Sequence, residues 1–193
     1  NYQIKNSEKF IFLEMPIYKR KINSMSHEQM FLKISTETHL GNSFIKKYSD
    51  GYIRNGFKFE VKKSKLKKEY ILIINQMLGD SAIHPINPYE WLESTVKKIR
   101  EKTDTQILIR EHPFQQKNIP KLHFYFKKKY KDVKVSKILD ISKDLEKAYC
   151  SVMVSSGSCI DSLFAGVPVI AEDPRSHAYE ISYNDVNKIK KFD

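Results

Sequence analysis

A chain of 193 residues, 40% hydrophobic and 30% charged, can fill one good core but not two full domains, which excludes a disordered or fibrous class. No apolar run approaches the roughly 18 residues that a membrane-crossing helix needs, and the N-terminal Asn-Tyr-Gln-Ile-Lys lacks the apolar stretch of a signal peptide. The net charge of +11 fits an anionic partner, yet 29 of the 34 cationic residues are lysine, so the lysine-rich usage of an AT-rich genome accounts for it equally well.

In chain order, the N-terminal third reads as a partial α/β region. It has a strand over 9–14, a helix over 26–34 and a strand with alternating aromatics over 52–61. A lysine-rich stretch, 58–69, then leads into a clean βα alternation. Residues 70–74 (Tyr-Ile-Leu-Ile-Ile) are apolar on both faces, as a buried parallel strand requires. Asn87-Pro88 opens a helix whose Trp91, Leu92, Thr95, Val96 and Ile99 recur at helical spacing. A strand over 106–110, a helix over 119–130 and a short strand over 133–135 follow. Ser142 is placed to cap a helix over 142–149. A strand over 151–154, a helix over 158–165 closed by Gly166, and a strand over 167–171 complete the alternation. This pattern predicts an α/β fold, a doubly wound and mostly parallel sheet over 70–193, with a smaller or incomplete part over 1–69. The missing initial Met and the charged tail at 188–193 suggest a fragment. Cys150 and Cys159 lack metal-ligand spacing, read as small core residues and suggest a reducing compartment, and the six scattered histidines argue against a zinc site.

In an open parallel sheet, ligands bind beyond the carboxyl ends of the strands, and three polar clusters fall there. Ser155-Ser156-Gly157-Ser158 offers small residues, hydroxyls and backbone N–H groups to a phosphate, although a serine at such a turn serves equally as a helix cap. Arg110-Glu111-His112-Pro113 holds His112 extended before proline, where it can donate to a phosphate, with Arg110 adding charge. A plain strand-end turn with an exposed histidine is the alternative. Gly79, Asp80 and Ser81 form a turn whose polar groups can bond a ribose, a base or an acceptor hydroxyl, or simply close an Asx turn. The chain contains no G-x-G-x-x-G, P-loop or G-x-S-x-G.

His112-Pro113, then Val154-Ser155-Ser156-Gly157-Ser158, then Ala165-Gly166-Val167-Pro168-Val169-Ile170 together resemble the C-terminal nucleotide-binding half of GT-B-fold glycosyltransferases. The likeness spans roughly 70–182 and is nearest to capsule-type, sialyl- and Kdo-transferase-like groups and to phage proteins of similar pattern. It implies a Rossmann-like nucleotide-sugar-binding domain over 70–193, in which His112, Ser155 and Ser156 contact donor phosphates. It also implies a nucleotide sugar as co-substrate, with no tightly bound cofactor and no metal. The N-terminal part, over 1–69, is the expected acceptor side.

The resulting expectation is a cytoplasmic glycosyltransferase. Glu14, Asp80 and Glu111 are candidates for the base, and Arg110, His112 and Ser155–Ser158 hold the donor phosphates. The basic surface makes DNA, for instance a hydroxymethylated base, one acceptor class, and a capsule-type polysaccharide is the other. A non-catalytic nucleic-acid-binding module is the reading from a different class. In it, Lys62, Lys63, Lys65, Lys67 and Lys68, with a second lysine-rich region over 117–137, track a phosphate backbone.

Overall fold

The computed structural model describes residues 12–14, 33–35 and 68–189. The chain divides into two compact units, Asn1–Lys58 and Phe59–Asp193. In the first, β1 (Phe12–Glu14) pairs antiparallel with β2 (Lys33–Ser35), Leu13 opposite Ile34. The helix expected over 26–34 is therefore corrected at its end, where β-branched Ile34 sits in a strand. Its earlier residues, and the strand expected over 52–61, lie outside the described residues.

The second unit is built on five strands: β3 (Tyr70–Ile74), β4 (Gln106–Arg110), β5 (Val133–Val135), β6 (Ala148–Met153) and β7 (Val169–Ala171). All pair in parallel, in the order β5-β4-β3-β6-β7. Four helices connect them: α1 (Pro88–Arg100), α2 (Ile119–Lys129), α3 (Ile141–Leu145) and α4 (Cys159–Phe164). The expected doubly wound sheet is thus present and wholly parallel.

Alternation along the strands divides the core into two layers. Ile71, Ile73, Ile107 and Ile109 face Leu92, Val96 and Ile99 of α1 and Leu122 and Phe126 of α2, all buried. Tyr70, Leu72 and Ile74 turn to the other face, where Leu145 of α3 and Cys159 of α4 pack. Asn87 starts α1 as its cap, accepting from the amides of Tyr89 and Glu90, with Pro88 in the first turn. Gly166 ends α4 with φ 70°, and the amides of Gly166 and Val167 return to the carbonyls of Leu163 and Ser162. The helix expected over 142–149 is shorter and differently capped. Asp140, not Ser142, is the cap, accepting from the Ser142 amide at 2.9 Å. The chain then enters β6 at Ala148, paired with Tyr70.

Arg110, expected among the donor-phosphate residues, is the one cation that this sheet buries among the described residues, and its guanidinium is engaged within the fold. Its guanidinium bonds Asp144 of α3 at 2.6 Å, the Ile138 carbonyl at 2.8 Å and the Leu139 carbonyl. Asp144 also accepts from the Ser136 hydroxyl at 2.9 Å, and its carbonyl from the Tyr70 phenol at 2.9 Å. The pair fastens α3 and the loop after β5 to the sheet.

Removing one partner of a buried pair leaves the other charge unmatched. Asp144→Asn should therefore lower the unfolding free energy by about 3–5 kcal/mol in a urea titration, while Arg110→Met with Asp144→Leu recovers most of that loss. A second expectation concerns alkaline pH. Burial pushes the Cys150 thiol up to about 12 and the Cys159 thiol up to about 11. Burial, then Asp144, push the Tyr70 phenol up to about 12. Unfolded, these groups ionise near about 8.5 for a thiol and about 10 for a phenol, so the unfolded chain loses its protons first. Stability should be full below about pH 8.5 and fall as pH climbs toward 11–12, read as urea midpoints at a series of pH values. Cys150→Ala should make that decline shallower.

Candidate functional site

The chain runs outward from β3 to β4 and β5, then returns to β6 and β7, so the strand order reverses between β3 and β6. A crevice opens beyond the strand ends at such a reversal. Polar residues begin there as soon as the apolar strands stop: Asn75 and Gln76 after β3, Glu111 and His112 after β4, Ser155 to Ser158 after β6.

Gln76 spans the reversal. Its side-chain carbonyl accepts the Ser155 amide at 2.8 Å, and its side-chain amide donates to the Ser155 hydroxyl at 3.5 Å. Ser156 accepts the Ser158 amide at 3.3 Å, and Ser158, at the cap position of α4, makes no side-chain cap bond. The serines thus shape a turn rather than cap a helix in the usual way. All four residues of the turn are partly exposed, and a Cβ added at Gly157 would meet nothing within 4 Å. At Gly157 the space where a side chain would stand is open.

His112 has the extended backbone expected before proline, φ −61° and ψ 138°. Its Nδ1 accepts from the Phe114 amide at 3.3 Å. A neutral imidazole accepting at Nδ1 carries its proton on Nε2, which makes that nitrogen the donor. Its carbonyl accepts from the Gln115 amide at 2.8 Å, and Gln115 accepts from the Leu78 amide at 3.2 Å, joining the loops after β4 and β3.

Glu111 lies inside the fold, 1% exposed, rather than in the crevice. Burial pushes its carboxyl above the usual range. As a candidate base it would need a path to the acceptor proton, since a base must reach the proton it removes. Asp80 is partly exposed and accepts the Ala82 amide at 2.9 Å, in an Asx turn beside Gly79, which takes φ 83°. Ser81 is exposed on the same turn. Glu14 belongs to β1 in the other unit. Lys62, Lys63, Lys65 and Lys67 lie outside the described residues. Lys68 lies inside them, with its ammonium nitrogen shielded, and burial lowers its pKa. In the second lysine region, Lys129 is paired with Glu93.

The loop after β7, not foreseen from the sequence, is tied into the same end of the sheet. Arg175 bonds both oxygens of Asp173, at 2.7 and 2.6 Å, and the His84 carbonyl at 2.7 Å. The Trp91 indole donates to Glu172 at 2.6 Å. The only cue was a polar Glu-Asp-Pro-Arg directly after an apolar strand.

Among solved structures, the chain is similar to the UDP-GlcNAc 2-epimerase of Methanocaldococcus jannaschii in complex with UDP-GlcNAc and UDP. The two are 15% identical, with a TM-score of 0.43, over 60% of this chain and 33% of that one, so this chain spans about a third of its length. None of the curated proteins compared with the sequence matches it. No helix among the described residues is long and apolar enough to cross a membrane. The sequence itself matches the model of one family over residues 8–172, most of its length, and on that ground the chain belongs to the capsule polysaccharide biosynthesis protein family.

Proposed function

We propose that the chain carries the nucleotide-sugar side of a glycosyltransferase that builds a polysaccharide. The observation that carries this reading is the Ser155–Ser158 turn, bonded to Gln76 across the topological switch point between β3 and β6, where α/β sheets bind nucleotides, with His112 following the next strand, β4. Family membership supports a saccharide acceptor. A DNA acceptor rests on the net charge of +11 and the likeness to phage proteins, and family membership adds nothing to it.

In the proposed reaction, an acceptor hydroxyl attacks the anomeric carbon of the donor sugar. The bond from that carbon to the phosphate oxygen breaks, and the nucleotide leaves with the electron pair. His112 Nε2–H and the serine hydroxyls stabilise the charge that develops on the phosphate. Asp80, a partly exposed carboxylate on the loop after β3, takes the acceptor proton in this reading.

The direct test is a thermal-shift screen with UDP, GDP, ADP and CMP, since a ligand that binds only the folded state raises its apparent stability. At least one nucleotide should raise the melting temperature. Ser156→Asp should keep the fold, because Asp can accept the Ser158 amide as Ser156 does, and should abolish the shift by placing a charge where phosphate binds. Unchanged nucleotide affinity in this variant would remove the turn from the site.

The acceptor class has its own test. If DNA is the acceptor, log affinity for duplex DNA should fall with log salt at about −0.9 per phosphate contacted. Replacing Lys62, Lys63 and Lys65 with Gln should then flatten the slope. With a polysaccharide acceptor, anisotropy titrations at several salt concentrations should show weak binding that the substitutions leave unchanged.

A further inference from the structure

Directly behind His112 lies a buried polar cluster that no step of the proposed reaction uses. Glu111 Oε1 accepts the His112 amide at 2.7 Å and Asn75 Nδ2 at 3.3 Å. Glu111 Oε2 accepts the same Asn75 nitrogen at 3.4 Å and the Tyr89 hydroxyl at 3.2 Å. The Tyr89 oxygen in turn accepts from Asn118 Nδ2 at 2.7 Å. Asn75 follows β3, Glu111 follows β4, Tyr89 is in the first turn of α1, and Asn118 immediately precedes α2. The carboxyl group therefore joins the ends of β3 and β4 to α1, and Tyr89 extends the network to the start of α2.

We propose that Glu111 is a positioning residue for His112. It acts through the His112 peptide N–H, with Asn75 and Tyr89 holding its two oxygens in place. Three features support this. Of the bonds that the carboxyl group accepts, the shortest is the one from the His112 amide. That bond fixes the backbone just before Pro113, whose ring restricts His112 from the other side. With the Phe114 amide on Nδ1, the histidine is then held at its peptide and at its ring, so the direction of Nε2 is set from two places. A buried carboxyl group is costly to desolvate, and here its shortest bond goes to the backbone of His112. The inference rests on the proposed role of His112 in nucleotide binding, and it assigns Glu111, Asn75 and Tyr89 to that role from behind.

The first measurement needs no ligand. Hydrogen exchange of the His112 amide is compared in wild type, Glu111→Gln and Glu111→Ala. Gln keeps an acceptor oxygen, so exchange should stay near wild type. Ala removes it, and exchange should speed up by about tenfold or more, as expected when a bond to a charged group is lost. The second measurement is a double-mutant cycle with UDP and CMP as the probes. Glu111→Ala should weaken binding by about tenfold, and Glu111→Ala with His112→Ala should bind no worse than His112→Ala alone, since the two residues act as a unit. Should Glu111→Ala fail to fold, Tyr89→Phe, which removes one hydroxyl, carries the same cycle with a smaller loss. Unchanged His112 exchange in Glu111→Ala, or additive losses in the cycle, would overturn the proposal. So would a Glu111→Gln variant that binds the nucleotide normally but loses turnover, which would mark Glu111 as the base. Wild-type protein that binds neither UDP nor CMP counts against the nucleotide reading, while the exchange result still decides whether Glu111 holds His112.

Discussion

The central strand β3 has water on neither side. Tyr70 to Ile74 are all buried, with α1 against one face and α3 and α4 against the other. A strand in that position can carry no polar side chain without a partner, so polar chemistry is displaced to the residues just past its end. Asn75 and Gln76 stand at the first positions where the constraint relaxes. Both are still buried, and each is committed to a neighbouring strand end: Asn75 to the end of β4, Gln76 to the end of β6. The strand that organises the core thereby aligns the two loops that define the candidate site.

The same logic separates the two arginines whose contacts hold loops at this end of the sheet. Arg110 ends a strand, and its long side chain reaches an acidic partner on α3. Arg175 sits in a loop and binds the carboxylate two residues before it, with one further bond to the His84 carbonyl. Both are engaged by protein groups. The proposed site offers instead an imidazole, hydroxyls and backbone amides, groups that act by directed hydrogen bonds more than by net charge. This is consistent with a chain whose many positive charges are mostly lysines.

What could be read from the sequence follows the range of the interactions involved. Strands 70–74, 106–110 and 133–135 were readable to the residue because each is a short apolar or alternating run whose burial is written in its own composition. The start of α1 was readable because Asn87-Pro88 is a local signal. The helix expected at 142–149 failed because two nearby capping candidates, Asp140 and Ser142, compete, and because pairing with β3 draws Ala148 into a strand. At the site, the histidine and serine clusters could be located by their place after strands. Their supports could not, because Gln76 and Ser155 are 79 residues apart, Asn75 and Glu111 are 36 apart, and Tyr89 and Glu111 are 22 apart. Nothing in the chain near Glu111 marks it as an interior residue; only the folded sheet does.

The two margins of the sheet differ in how they end. On one side β5 is only three residues long, and its middle residue, Lys134, points into solvent. On the other, β7 is continued by a single bridge, in which Tyr183 bonds the backbone on either side of Ile170. A short border strand bearing a charge and a border already occupied by the protein's own backbone both deny a template to a second sheet. Among the described residues, the sheet therefore offers little unpaired backbone at either margin, and its apolar strands meet strangers only through a lysine or through a segment of their own chain.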